Sequence, residues 1–149
     1  MWNKIVNPKT GRKVNVNSKM GKSILKNYMK QLGGSFIVNL QGADLQDKDL
    51  SGADLSNANL IDAFLQDANL TGANLSGANL TNANFHGANL TDANLTDANL
   101  TNANLERSDL IRAKFINANL TKATLYDAYI NEANFSGAVN VNLEGTLIQ

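Results

Sequence analysis

Ala68-Asn69-Leu70-Thr71-Gly72-Ala73-Asn74-Leu75-Ser76-Gly77-Ala78-Asn79-Leu80-Thr81-Asn82 is one five-residue unit written three times. The unit extends far in both directions. Counting by five from Leu40 to Phe135, all twenty positions are large and apolar: sixteen Leu, with Phe85, Phe115, Ile130 and Phe135. Two residues before each Leu position, from Ala43 onward, eighteen of twenty residues are Ala, the exceptions being Lys48 and Ser108. Asn or Asp stands between them in most units.

A helix cannot use this period. Five residues turn about 500° around a helix of 3.6 residues per turn, so the leucines would spread over its whole surface. Ala and Leu two apart with a polar residue between them is strand alternation, apolar side inward. The next two positions are mostly Ser, Thr, Asn, Asp, Gly or Gln, which is turn chemistry. Each unit is therefore a short extended stroke and a bend. A chain that always bends the same way with Leu inside closes into a coil, and successive coils stack about 4.8 Å apart.

These residues are similar to the pentapeptide-repeat family across 38–138. The resemblance implies an all-β solenoid, a right-handed quadrilateral parallel β-helix with four units per coil. Twenty units then make about five coils. After Ala138 the register breaks: Asn140 falls where Leu is due, and an insertion of about three residues restores the pattern as Val141-Asn142-Leu143 and Thr146-Leu147-Ile148. Residues 139–149 are expected to form a partial last coil or a C-terminal cap. An uncapped end exposes sheet edge and core, which makes a homodimer through a β-helix end an expected option.

The first 37 residues read differently. Lys4, Lys9, Arg12, Lys13, Lys19, Lys22, Lys26 and Lys30 give +8 with no acid, whereas 38–138 carry five bases against twelve acids, net −7. Such asymmetry points to two modules. The zero net charge of the whole chain is a cancellation. Lys4-Ile5-Val6-Asn7 and Arg12-Lys13-Val14-Asn15-Val16 flank Pro8-Lys9-Thr10-Gly11, a hairpin pattern. Asn17 or Ser18 then caps an expected helix to about Leu32, ended by Gly33-Gly34. Its stripe of Met20, Ile24, Leu25, Tyr28, Met29 and Leu32 suits a cap on the N-terminal end of the solenoid. Lys9, Arg12, Lys13, Lys19, Lys22, Lys26 and Lys30 are the candidate basic docking residues. The run from Ile5 to Val14 also resembles the two-cysteine adaptor domain of large DNA viruses, matching its Asn-Pro-Lys-Thr-Gly-Arg core and lacking both cysteines. That resemblance implies a viral source and an adaptor role.

The chain has 149 residues, 43% hydrophobic and 6% aromatic, so any core is built mainly from aliphatic side chains. With no cysteine, disulfides, thiolate-bound zinc and cysteine nucleophiles are excluded. A single histidine, His86, leaves no pair for a multi-His site. No apolar run is long enough to cross a membrane, and Met1-Trp2-Asn3-Lys4 lacks the start of a secretory signal. The expectation is an intracellular, cytoplasmic protein (host cytoplasm or virion if viral) with no membrane partner.

Catalysis needs a cleft with converging polar groups, and a coil filled with Leu and Ala provides none. Stacked Asp47 and Asp67 are a carboxylate pair, but on an open wall where water screens them. No catalytic residue, cofactor or metal ligand is assigned. The outward apolar residues Ile61, Phe64, Ile111, Ile116, Tyr126 and Tyr129 are the candidate partner-binding set. Function is expected to be a non-enzymatic structural or protein-interaction module with an unidentified protein partner. The alternatives are a DNA-mimicking modulator of a type II topoisomerase such as DNA gyrase, from the acidic rod, and nucleic-acid binding through the basic N-terminus.

Overall fold

The computed structural model describes residues 4–6, 13–15 and 38–148. It divides into two compact units, Met1–Phe36 and Ile37–Gln149. In the first, β1 (Lys4–Val6) pairs antiparallel with β2 (Lys13–Asn15), Ile5 opposite Val14. The expected helix over 18–32, and every candidate docking base except Lys13, lie outside the described residues.

The second unit is a stack. Outward residues bridge in parallel to the residue twenty places on, from Asn39 with Asn59 through Asn119 with Val139. Four such residues fall in each twenty, so the stack has four walls. Wall 1 runs through Asn39, Asn59, Asn79, Asn99 and Asn119; wall 2 through Asp44, Phe64, Asn84, Asn104 and Thr124; wall 3 through Asp49, Asn69, Asn89, Asp109 and Tyr129; wall 4 through Asp54, Asn74, Asn94, Lys114 and Asn134.

Hydrogen-bond accounting explains why the unit has five residues. In unit 78–82 the Ala78 N–H donates to the Leu75 carbonyl at 3.0 Å, closing the preceding turn. The Asn79 N–H reaches back one coil to the Ala58 carbonyl (2.9 Å), and the Leu80 N–H reaches forward to Asn99 (2.7 Å). The Asn82 N–H also goes forward, to Thr101 at 2.9 Å. That leaves the Thr81 N–H, which donates to the side-chain Oδ1 of Asn79 at 3.2 Å. Every backbone N–H of the unit is used. The central Asn or Asp is thus a local cap for its own corner, an Asx turn.

The corner also dictates the second turn residue. It has positive φ throughout, from 54° at Arg112 to 76° at Gly145. With the Ala N–H bonded back to Leu, this is the signature of a type II turn. Gly, Asn and Asp fill most of these positions because they enter the left-handed region at least cost.

Inside, Leu60, Leu65, Leu70 and their successors to Leu120 are fully buried, with Ala lining the walls between them. Phe115 and Phe135 stack with centroids 4.9 Å apart and planes 9° apart. Ser108, in an Ala slot, is buried and donates its hydroxyl to the Leu105 carbonyl at 2.6 Å.

The register break near the C-terminus is a shortening, not an insertion. Tyr129 pairs with Leu147, eighteen residues on rather than twenty or more. A gain of three and a loss of two are equivalent modulo five, so spacing alone does not separate them. Asn140, at φ 56°, turns that corner, and its Nδ2 donates to Thr121 Oγ1 at 2.8 Å. Beyond it the unit resumes: the Glu144 N–H donates to Asn142 Oδ1 (3.0 Å) and the Thr146 N–H to the Leu143 carbonyl (3.2 Å).

Candidate functional site

The outer surface consists of four walls and the corners between them. Wall 1 is a self-satisfied polar ladder. Asn79, Asn99 and Asn119 each accept a hydroxyl from the threonine two residues later, at 2.6–2.7 Å. Asn99 Nδ2 then donates to Thr81 Oγ1 one coil back, and Asn119 Nδ2 to Thr101 Oγ1, both at 3.1 Å. Corner side chains form ladders too: Asn82 Nδ2 donates to Asp62 Oδ1 at 2.9 Å, and Asn102 Nδ2 to Asn82 Oδ1 at 3.1 Å.

Charges pair along the same columns. Arg112 grips Asp92 with two bonds, 2.7 and 2.8 Å, and Arg107 lies 3.8 Å from Asp127. The hydrogen bond from Arg112 holds the Asp92 carboxyl below the usual carboxylate range, with partial desolvation opposing it and the fields of Arg112 and Lys114 adding to it. The same bond raises Arg112. Both groups are exposed, so water screens the pair and its contribution is small.

Of the six outward apolar candidates, two stand clear of the surface: Phe64 is 46% exposed on wall 2, and Tyr126 is 60% exposed at the corner after that wall. Ile61, Ile111, Ile116 and Tyr129 are half-buried. Ile61 and Ile116 sit at corners after walls 1 and 4, while Ile111 follows wall 3, on which Tyr129 lies between Asp109 and Leu147. The six do not converge on one patch. His86 is half-buried at the same corner column as Gln66 and Glu106.

Sequence reasoning missed a further exposed set, Val139, Leu143, Leu147 and Ile148. Its signal was the register break itself, since a core residue in the last turn has no coil above it. The Tyr126 ring lies against Gly145, so a Cβ there would strike it. Among the described residues no group of three His, Asp or Glu side chains is placed to hold a metal ion. No helix among them is long and apolar enough to cross a membrane.

Comparison with known proteins agrees with this architecture. The family model "Pentapeptide repeats" matches residues 38–72, 68–107 and 98–137, in eight copies. No curated protein matches the chain. Among solved structures, the pentapeptide repeat protein Rfr23 from the cyanobacterium Cyanothece 51142 is similar at 31% identity and TM-score 0.54, over 80% of this chain and 69% of that one. A pentapeptide repeat protein from the thylakoid lumen of Arabidopsis thaliana is 34% identical over 70% of this chain and 71% of that one, at TM-score 0.48. QnrB1, a plasmid-mediated fluoroquinolone resistance protein, is 19% identical over 78% of this chain and 92% of that one, at TM-score 0.34. Proteins built from these repeats are in general structural or interaction modules rather than enzymes. The repeat, its twenty-residue pairing, the family model and the likeness to Rfr23 agree: the chain belongs to the pentapeptide repeat family, whose members fold as right-handed quadrilateral β-helices.

Proposed function

We propose that the chain is a non-enzymatic protein-interaction module, a rigid rod of about five coils read by a protein partner, with residues 1–37 as its basic docking end and 139–149 as a partial last coil. The observation that carries this reading is the division of the unit into an inert interior and a varied exterior. Among the described residues the fully buried large side chains are Leu and Phe, and buried Ser108 has its hydroxyl bonded to Leu105. Recognition therefore falls to walls, corners and ends. Phe64 and Tyr126 are the first side chains to test on the rod, and Lys9, Arg12, Lys13, Lys19, Lys22, Lys26 and Lys30 on the basic end. A homodimer through a β-helix end is the oligomeric form to look for, and the cytoplasm the compartment.

The test is affinity capture with three baits: the intact chain, a Phe64→Ser/Tyr126→Ser variant, and a variant with Lys19, Lys22, Lys26 and Lys30 changed to Glu. A partner lost with the first variant places recognition on the rod; one lost with the second places it on the basic end. If the intact chain retains nothing above a charge-matched control, and sedimentation finds no self-association, the reading fails.

DNA mimicry is the second reading, from the net −7 of residues 38–138. Arg107, Arg112, Lys114 and Lys122 weigh against it, because they neutralise the late coils. A gyrase supercoiling assay decides it, and a salt-dependent DNA shift assay decides the nucleic-acid reading of the N-terminus.

A further inference from the structure

One corner of the rod does not follow the rest. After walls 1, 3 and 4 the first turn residue is Ser or Thr at ten of fifteen positions. The reason is local: the hydroxyl donates to Oδ1 of the preceding Asn or Asp, as Ser51, Thr71, Thr96 and Thr101 do at 2.6–2.7 Å. After wall 2 the column reads Gln46, Gln66, His86, Glu106, Tyr126, with no Ser or Thr at any level. That corner forgoes the local bond; Gln46 and Tyr126 are exposed there, and Gln66, His86 and Glu106 half-buried.

Three further observations fall on the same corner. First, Phe64 lies beside it and Tyr126 within it, and among the described residues the other exposed large apolar side chains all lie at 139–148. Second, Gln66 Oε1 is buried with no donor. Phe64 occupies the place of the Asn or Asp that would have capped the Gln66 corner. Third, the adjoining second turn residues are Asp47, Asp67, Gly87, Arg107 and Asp127. With Glu106 that makes four acids to one base, and the base already lies 3.8 Å from Asp127.

We propose that this corner is a docking ridge for a basic, extended segment of a protein partner. It rests on the interaction-module reading and names the partner's chemistry. Lys or Arg side chains meet Asp67 and Glu106, and the aliphatic stems of the basic residues lie across Phe64 and Tyr126. The ridge sets a spacing. Asp67 and Glu106 stand two coils apart, about 10 Å, which a polyproline II chain covers in one turn of three residues at about 3.1 Å each, returning its side chain to the same face. The partner segment therefore carries basic residues at i and i+3. Phosphate-bearing ligands are repelled by the same acids.

The test is selection of a phage-displayed random dodecapeptide library on the immobilised intact chain at physiological salt. Binding of the enriched peptides is then measured on Gln66→Thr/His86→Thr/Glu106→Thr/Tyr126→Thr, and on Asp67→Asn/Glu106→Gln. Threonine is the residue the other corners use, and the second variant removes charge while keeping shape, so it decides the matter if the first does not fold. The expected result is enrichment of Lys/Arg pairs three apart, with affinity falling about tenfold on the first variant and about threefold on the second. Enriched peptides that are not basic, or that bind both variants as tightly as the native chain, overturn the ridge and leave the interaction reading standing. No enrichment at all overturns both.

Discussion

The middle of the rod and its last turn are built from the same unit and differ almost completely in burial. Leu90 has a coil above and below and no exposed surface. Leu143 sits in an equivalent stroke, with the same Asx cap and closing turn, and is 41% exposed; Ile148 is 78% exposed. Local chemistry therefore makes the bend, and stacking makes the core. A unit on its own buries nothing; its leucine becomes interior only when coils lie on both sides.

The sharpest way to break that comparison is to truncate both. Leu90→Ala should cost about 3 kcal/mol, because a full side chain is lost from a site that neighbouring coils hold open. Leu143→Ala should cost less than about 1 kcal/mol, since much of that side chain already meets water. Equilibrium urea unfolding measures both, and equal losses would mean that the last turn is as well packed as the middle.

The next effect concerns the left-handed corner. Gly87→Ala adds a Cβ that strikes the Asp67 carboxylate, at φ +68°. Gly52 has φ +61° and open space where its Cβ would go. Both substitutions should cost about 1 kcal/mol for the backbone, with Gly87→Ala the worse of the two in thermal melts. Conversely, Arg107→Gly, at φ 56°, should stabilise by up to about 1 kcal/mol, because its ion pair is long and exposed.

Asn79→Ala should cost about 1 kcal/mol, since the Thr81 N–H and hydroxyl both lose their acceptor. Asn142→Ala, at the last turn, should cost less, since water replaces the lost acceptor there. Hydrogen exchange at Thr81 and Glu144 separates the two.

The smallest effect is electrostatic. The bond from Arg112 holds the Asp92 carboxyl below the usual carboxylate range, so its stabilisation is present above the ordinary value and is lost as pH falls through the folded pKa. Arg112→Ala should lower stability slightly near neutrality and leave it unchanged below the folded pKa, so the two proteins converge as pH falls. A pH titration of the melting temperature for both proteins tests the sign.

The repeat made the fold legible because five-residue periodicity, with Ala and Leu two apart, admits stroke and turn and excludes helix. The length of the shortened corner was not legible, since Asn140 and Val141 satisfy a gain of three as well as a loss of two. The candidate surface was legible only in part. Phe64 and Tyr126 are visible as departures from the unit, but Ile111 and Tyr129 look equally exposed in sequence and are half-buried in the stack. The corner after wall 2 emerges only when the chain is read every twenty residues, and that interval is fixed by the pairing of coils.

The twenty-residue pairing also makes the rod a graduated scale. Removing twenty residues, 68–87 for instance, would draw the two ends about 4.8 Å closer and leave every downstream wall facing as before. Removing five would keep each leucine inside but index the remainder round by one side, about a quarter turn, so that a partner bridging early and late coils would meet the wrong face. Length and bearing are thus set separately, by whole coils and by single units, and a lineage of such chains can lengthen its reach without re-aiming it.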